Sequence, residues 1–279
     1  MARIRVVTDS ACDIPDDIAH QLGITVVSLT VRFGAGEFVD RVDLSPSDFW
    51  ANCKKSKVLP ETAAPSPGAF QTALEQAVAD GCDGAIVLTL SSALSATFQS
   101  ATLAADTMKD RLDVRVVDTK AVSMAQGLLT IDVAERARTG APLDELAAVA
   151  ESLREKVGVC AMLDTLEHLV KGGRIGGARA LVGQVLSIKP LLELKDGVVA
   201  EAGRQRTRAK ALAAIVRVVE SHQPLARLAV IHGDSLEVKA LTALIADIST
   251  QHPLIVADIG AVVGTHGGPG IIGLCWVEA

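Results

Sequence analysis

A chain of 279 residues with 49% hydrophobic side chains is long enough for two packed lobes, and the cleft between two lobes is a common ligand site. A formal net charge of −6 argues against whole-molecule attraction to nucleic acid or an anionic membrane. An aromatic content of 3%, without tyrosine, leaves few platforms on which bases could stack. The first ten residues hold too short an apolar run for a secretory leader, and no segment reaches the ~18 apolar residues of a membrane span. Cys12, Cys53, Cys82, Cys160 and Cys275 are scattered, with no C-x-x-C pair. The expectation is a cytoplasmic protein with reduced thiols.

In chain order, residues 4–10 (IRVVTDS) read as a buried strand, and Pro15 opens a helix over DIPDDIAHQLG. ITVVSLTVRF, residues 24–33, reads as a second strand. Ser45 and Ser66, each followed by proline, are N-caps for helices that begin SPSDFW and SPGAFQ, the second closed by Gly81. GAIVLTL and DVRVVDT then give strands on either side of a helix around LSATFQSATLAADTM, the βαβ rhythm of a parallel sheet. Two helices, MAQGLLTIDVAERARTG and PLDELAAVAESLREKV, lead to a second lobe.

That second lobe opens on GVCAML and continues with helices TLEHLVKGG and ARALVGQVLSI. A hairpin follows, with Asp196-Gly197 between two apolar runs. Helix TRAKALAAIVRVVES, strand RLAVIHG, helix SLEVKALTALIADI, strand LIVADIG, a glycine loop around His266 and a last strand IIGLCWVE complete the chain. The predicted class is α/β: a mostly parallel sheet lobe over 1–157 and a mixed α/β lobe over 158–279, with a ligand between them.

Two nucleotide motifs fail their context. GPGIIG matches G-x-G-x-x-G at Gly268, Gly270 and Gly273, but six residues remain, too few for the helix and distant acid that the fingerprint needs. GGRIGG puts Gly172 and Gly177 at P-loop spacing, yet Ala178 and Arg179 stand where Lys and Ser/Thr are required. The histidines at 20, 168, 222, 232, 252 and 266 form no ligand pair, so no metal and no cofactor are expected.

Ser91, Ser92 and Ser95 lie at the C-terminal end of a buried strand and open a helix, where open α/β sheets place ligands and where an anion is favoured. Ordinary N-capping is the competing explanation for Ser66 and Ser95; it explains Thr62, four residues ahead of its cap, less well. Two hydroxyls from helix-opening loops and an imidazole from a glycine-rich segment make an uncharged, donor-rich pocket suited to a carboxylate. A serine hydrolase using Ser95, His266 and Asp9 is the alternative, although no G-x-S-x-G elbow surrounds the serines. Lys171, Arg174 and Arg179 flank one glycine-rich turn, and Arg204, Arg206, Arg208 and Lys210 follow the hairpin. A solvated helix face accounts for the 206–210 run, while Arg174, between glycine pairs, reads as an exposed docking residue for an acidic partner.

The segments VTDS (7–10), TAAPSPG (62–68), LSSALSATFQSA (90–101), VVDT (116–119), LVKGGRIGGARA (169–180), IKPLLELKDG (188–197) and GTHGGPGIIG (264–273) stand in the order and spacing of one family. The chain resembles the DegV family along essentially its whole length, departing at Ala96, where glycine is usual, and at Phe98, where tyrosine is frequent. The resemblance implies a long-chain fatty acid held between two α/β lobes by a non-catalytic subunit of a bacterial fatty acid kinase. That subunit presents the carboxylate to a separate ATP-dependent kinase subunit, which makes acyl phosphate for phospholipid metabolism. By position, Thr62, Ser95 and His266 would bind the carboxylate, and Arg174 and Arg204 would be similar to the family's partner-docking positives. A stand-alone lipid carrier or sensor is the other reading of the same ligand.

Overall fold

The computed structural model describes residues 3–181 and 188–279. The N-terminal half runs β1 (Ile4–Asp9), α1 (Asp16–Leu22), β2 (Thr25–Val27), β3 (Thr30–Phe33), β4 (Gly36–Val39), α2 (Pro46–Lys55), β5 (Glu61–Ala63), α3 (Pro67–Ala79), β6 (Gly84–Thr89), α4 (Thr97–Met108) and β7 (Asp113–Asp118). Helices α5 (Met124–Arg138) and α6 (Leu143–Arg154) follow. Then come β8 (Val157–Met162), α7 (Glu167–Lys171), β9 (Lys189–Lys195), β10 (Val198–Gln205), α8 (Arg208–Glu220), β11 (Leu225–His232), α9 (Val238–Leu244), β12 (Ile255–Asp258), α10 (Ala261–Gly267) and β13 (Ile272–Glu278).

Strands β2-β1-β6-β7 form a parallel sheet, the expected βαβ lobe. The second sheet, β10-β9-β8-β13-β11-β12, is antiparallel except for its β11–β12 edge. Its centre is β13, the last strand in sequence, buried at every position from Ile272 to Val277. Helix α5 covers one face of this strand and α8 the other, which is why IIGLCWV reads as an unbroken apolar run. Alternation in β8 sends Ala161 to the core shared with the parallel sheet, and Cys160 and Met162 to the face covered by α8.

Helix α5 lies between the sheets, packing on β1 on one side and on β8, β11 and β13 on the other. A helix enclosed in this way is apolar around most of its circumference. Most of its buried polar groups are paired: Gln126 Nε2 donates to Thr8 Oγ1 (3.0 Å) and Asp9 Oδ2 (3.1 Å), although Gln126 Oε1 has no partner among the described residues. Asp132 and Glu135 accept from Arg227 of β11 at 2.7 and 2.5 Å. One apolar cluster consequently crosses the molecule, from Val6 and Ile86 through Leu128 to Ala161, Ile231 and Cys275.

Local signals hold well: Ser45 and Ser66 cap α2 and α3, and Asp196 and Gly197, both at positive φ, turn the β9–β10 hairpin, while Thr207 caps α8. Five expectations need correction. Residues 24–33 are not one strand, because Ser10 Oγ accepts the Leu29 N–H (3.0 Å) and the Leu29 carbonyl accepts Asp40 N–H. The chain thus leaves the parallel sheet after β2 and joins the small antiparallel sheet β4-β3-β5. The glycine loop around His266 is instead helix α10, whose Gly264 lies directly under Phe49 and Trp50. Helices expected over 165–173 and 235–248 contract to α7 and α9. Of the helix expected over 178–188, residues 178–181 lie in a 3-10 turn, and 182–187 are outside the described residues.

Candidate functional site

A cavity of about 240 Å³ opens between the two large sheets, and Thr62, Ser95, Arg174 and His266 all line it. Its remaining wall is mostly aliphatic, including Leu29, Leu90, Val159, Ala161, Leu192, Leu194, Ile231 and Ile271. An apolar channel with a few polar groups is the usual form of a small-molecule site.

The polar residues arrive from four elements. Thr62 sits on β5 opposite Val31 of β3, so the small antiparallel sheet sets its position. His266 occupies the last turn of α10, and its Nε2 lies 2.9 Å from Thr62 Oγ1. His266 Nδ1 is buried without a hydrogen-bond partner among the described residues, facing Gly172. A buried, unpaired N–H is costlier than an unpaired lone pair. That cost assigns the proton to Nε2, which donates to Thr62 Oγ1 and leaves the threonine O–H for a ligand. Burial, helped by the charges of Arg174 and His168, brings His266 down to about 4, so the ring is neutral near pH 7.

Ser95 stands just ahead of α4. Its Oγ accepts the Thr97 N–H (3.3 Å) and lies 2.8 Å from Thr97 Oγ1, and Thr97 is fully buried. Thr97 Oγ1 has no second partner among the described residues, so its proton goes to Ser95 Oγ and the serine keeps its own for a ligand oxygen. Arg174 is half-buried rather than the exposed residue that its glycine neighbours suggest. Its Nε donates to Leu94 O (3.1 Å) and its Nη1 to Gly172 O (2.6 Å), which fixes a guanidinium at the cavity wall. The pocket is therefore not wholly uncharged as expected: a cation stands beside the hydroxyls. Arg204 lies elsewhere, exposed on β10 with Glu201 at 3.5 Å.

Three buried carboxylates stand behind the cavity. Asp13 accepts from Ser123 Oγ (2.6 Å) and from Gly260 N (2.9 Å) at the start of α10. Asp40 accepts from Ser10 and from the backbone of Ala261, and Asp9 accepts from Leu90 N (2.7 Å), Ala11 N (3.1 Å) and Gln126. Desolvation raises all three, Asp9 and Asp40 to about 6 and Asp13 to about 7. Asp9 is thus committed to the β1 region, and no hydrogen bond joins Ser95 to His266, so the hydrolase triad is not assembled. Asp132, Glu135 and His252 converge closely enough to hold an ion. Arg227 already occupies both carboxylates.

A family model described as an uncharacterised protein of the DegV family matches residues 3–279. The chain belongs to the DegV family. It is 34% identical to the protein DegV of Bacillus subtilis, over 98% of each chain. A Thermus thermophilus DegV family protein, described as fatty acid binding, superposes with a TM-score of 0.90 at 34% identity, covering 99% of this chain and 100% of its own. The B. subtilis DegV structure, described as a fatty acid binding protein, gives 0.86 at 32% identity and 99% coverage of both.

In this DegV-family chain the residues that sequence reasoning missed are the supports. Thr97 aligns Ser95, and Asp13 and Asp40 hold the start of the helix that carries His266. Gly172 leaves room for the imidazole: a Cβ there would collide with His266 Nδ1. Only Gly172 left a trace, as one glycine of the GGRIGG turn whose nucleotide reading fails.

Proposed function

We propose that this protein holds a long-chain fatty acid in the inter-sheet cavity and presents its carboxylate to a separate ATP-dependent kinase subunit, which makes the acyl phosphate. The observation that carries the reading is the cavity itself, an aliphatic channel with Thr62, Ser95, His266 and Arg174 on its wall. Each buried methylene contributes ~0.8 kcal/mol, so a chain of about fifteen carbons gains on the order of 10 kcal/mol before ordering costs. The hydroxyls donate to the carboxylate oxygens and Arg174 supplies the opposite charge. The fatty acid binding described for the Thermus and B. subtilis relatives supports the ligand class.

Within this reading the protein binds rather than catalyses, and it needs no metal or cofactor. Phosphoryl transfer belongs to the partner, which Arg204 helps to dock from the exposed face of β10. The test is to extract purified wild type and Ser95→Ala and weigh the released lipid by mass spectrometry. Acyl-phosphate formation is then followed with an ATP-binding fatty acid kinase subunit. Wild type is expected to carry fatty acid, while Ser95→Ala loses most of it and supports little turnover. Equal lipid content and turnover in the variant, or hydrolysis of an activated ester by the protein alone, refutes the assignment.

A further inference from the structure

Resting on the fatty-acid reading, we infer that Val159 and Leu194 form the stop for the methyl end of the acyl chain and set the longest chain the protein accepts. Cys160 of β8 pairs with Glu193 of β9. One step further along that antiparallel register sets Val159 against Leu194, with both side chains on the sheet face that lines the cavity. From Leu163, just ahead of α7 and its neighbour α10, back to Val159 the strand recedes about 13 Å, at ~3.3 Å per residue. The pair therefore lies at the end remote from His266.

The same two residues also line a separate cleft of about 180 Å³. That cleft is polar where the cavity is aliphatic: Lys120, Arg154, Glu155 and Asp196 border it. Val159 and Leu194 are thus a partition, half-buried because each has a cavity on either side. A chain that ends at the partition buries its methylenes among mostly aliphatic side chains, with Glu193 a carboxylate on that stretch of the wall. A longer one must buckle or push its end among charged groups, which removes the gain of about fourfold in affinity per methylene.

The experiment offers an equimolar series of straight-chain saturated fatty acids to wild type, Val159→Ala, Leu194→Ala and Leu194→Phe, and identifies the retained acids by mass spectrometry. The alanine variants are expected to retain acids about two methylenes longer than the wild-type limit, and Leu194→Phe to retain shorter ones. If either alanine variant fails to fold, the phenylalanine variant decides alone. An unchanged chain-length distribution at unchanged total occupancy overturns the partition while leaving fatty acid binding intact. Wild type that retains no acid overturns the fatty-acid reading itself.

Discussion

Gly172 isolates the contribution of the imidazole's position. Its backbone is ordinary for any L residue (φ −72, ψ −10), so alanine there carries no conformational penalty. The added methyl meets His266 Nδ1 on one side and the His168 carbonyl at 3.0 Å on the other. The backbone carbonyl cannot yield, so the ring must, and with it goes the 2.9 Å contact that aligns Thr62. Gly172→Ala is expected to weaken fatty acid retention about tenfold while costing about 1–3 kcal/mol of stability, the usual range for overpacking. Titration with a fluorescent fatty acid beside a urea melt separates the two effects. Wild-type retention in a folded variant would show that His266 need not be held where it is. Ser95 carries the same logic, since its free proton depends on a buried threonine that does not line the cavity.

Among the elements, α5 joins the two sheets, and Arg227 is its fastening on the β11 side. The Arg227 side chain is 5% exposed, between Asp132 at 17% and Glu135 at 41%. Truncating it strands two acids, one of them largely dehydrated, so Arg227→Ala is expected to cost about 3 kcal/mol in urea unfolding. A loss below about 0.5 kcal/mol, the usual scale of an exposed pair, would mean that apolar packing alone holds α5. This fastening was not legible in the sequence, whereas the caps at Ser45 and Ser66 and the Asp196-Gly197 turn were. The difference is range. A cap bonds three residues away, but Asp13 reaches Gly260 across 247 positions and Thr62 reaches His266 across 204. Residues 261–267 read as a loop because their glycines suit turns. They fold as a helix because buried carboxylates accept its first N–H groups and aromatic rings fill the space that the missing side chains leave. Thr62, Ser95 and His266 could be singled out as polar residues in unusual settings, but their neighbours Thr97 and Gly172 could not.

The whole molecule carries an electrostatic load at its seam. Asp9, Asp13 and Asp40 are buried near the junction of β1 and α10, with Arg41 the cation beside them. Asp40 Oδ2 has no hydrogen-bond partner among the described residues, as suits a carboxyl that keeps its proton readily. Burial raises their folded pKa values from 3.8 to about 6, 7 and 6, so between those limits the folded state binds protons that the unfolded state does not. Stability then falls as pH rises through this window and recovers as pH drops. His266 works the other way, because its folded value of about 4 lies below the ordinary 6.5, and its contribution starts to fall away as pH drops toward 6.5 and is lost by about pH 4. From about pH 8 to about pH 6.5 the aspartates outweigh it, Asp13 first. The gain is about 1 kcal/mol from the aspartates less a few tenths from His266, so the melting temperature is expected to rise by about 1–2 °C over that interval. Asp13→Asn keeps an acceptor for the Gly260 N–H but has no proton to gain, so its melting profile should be flatter and should match or exceed wild type at about pH 8. A wild-type melting temperature that falls or stays level on acidification to about pH 6.5, or an Asn variant as steep as wild type, would show that these carboxylates are ionised without penalty in the seam.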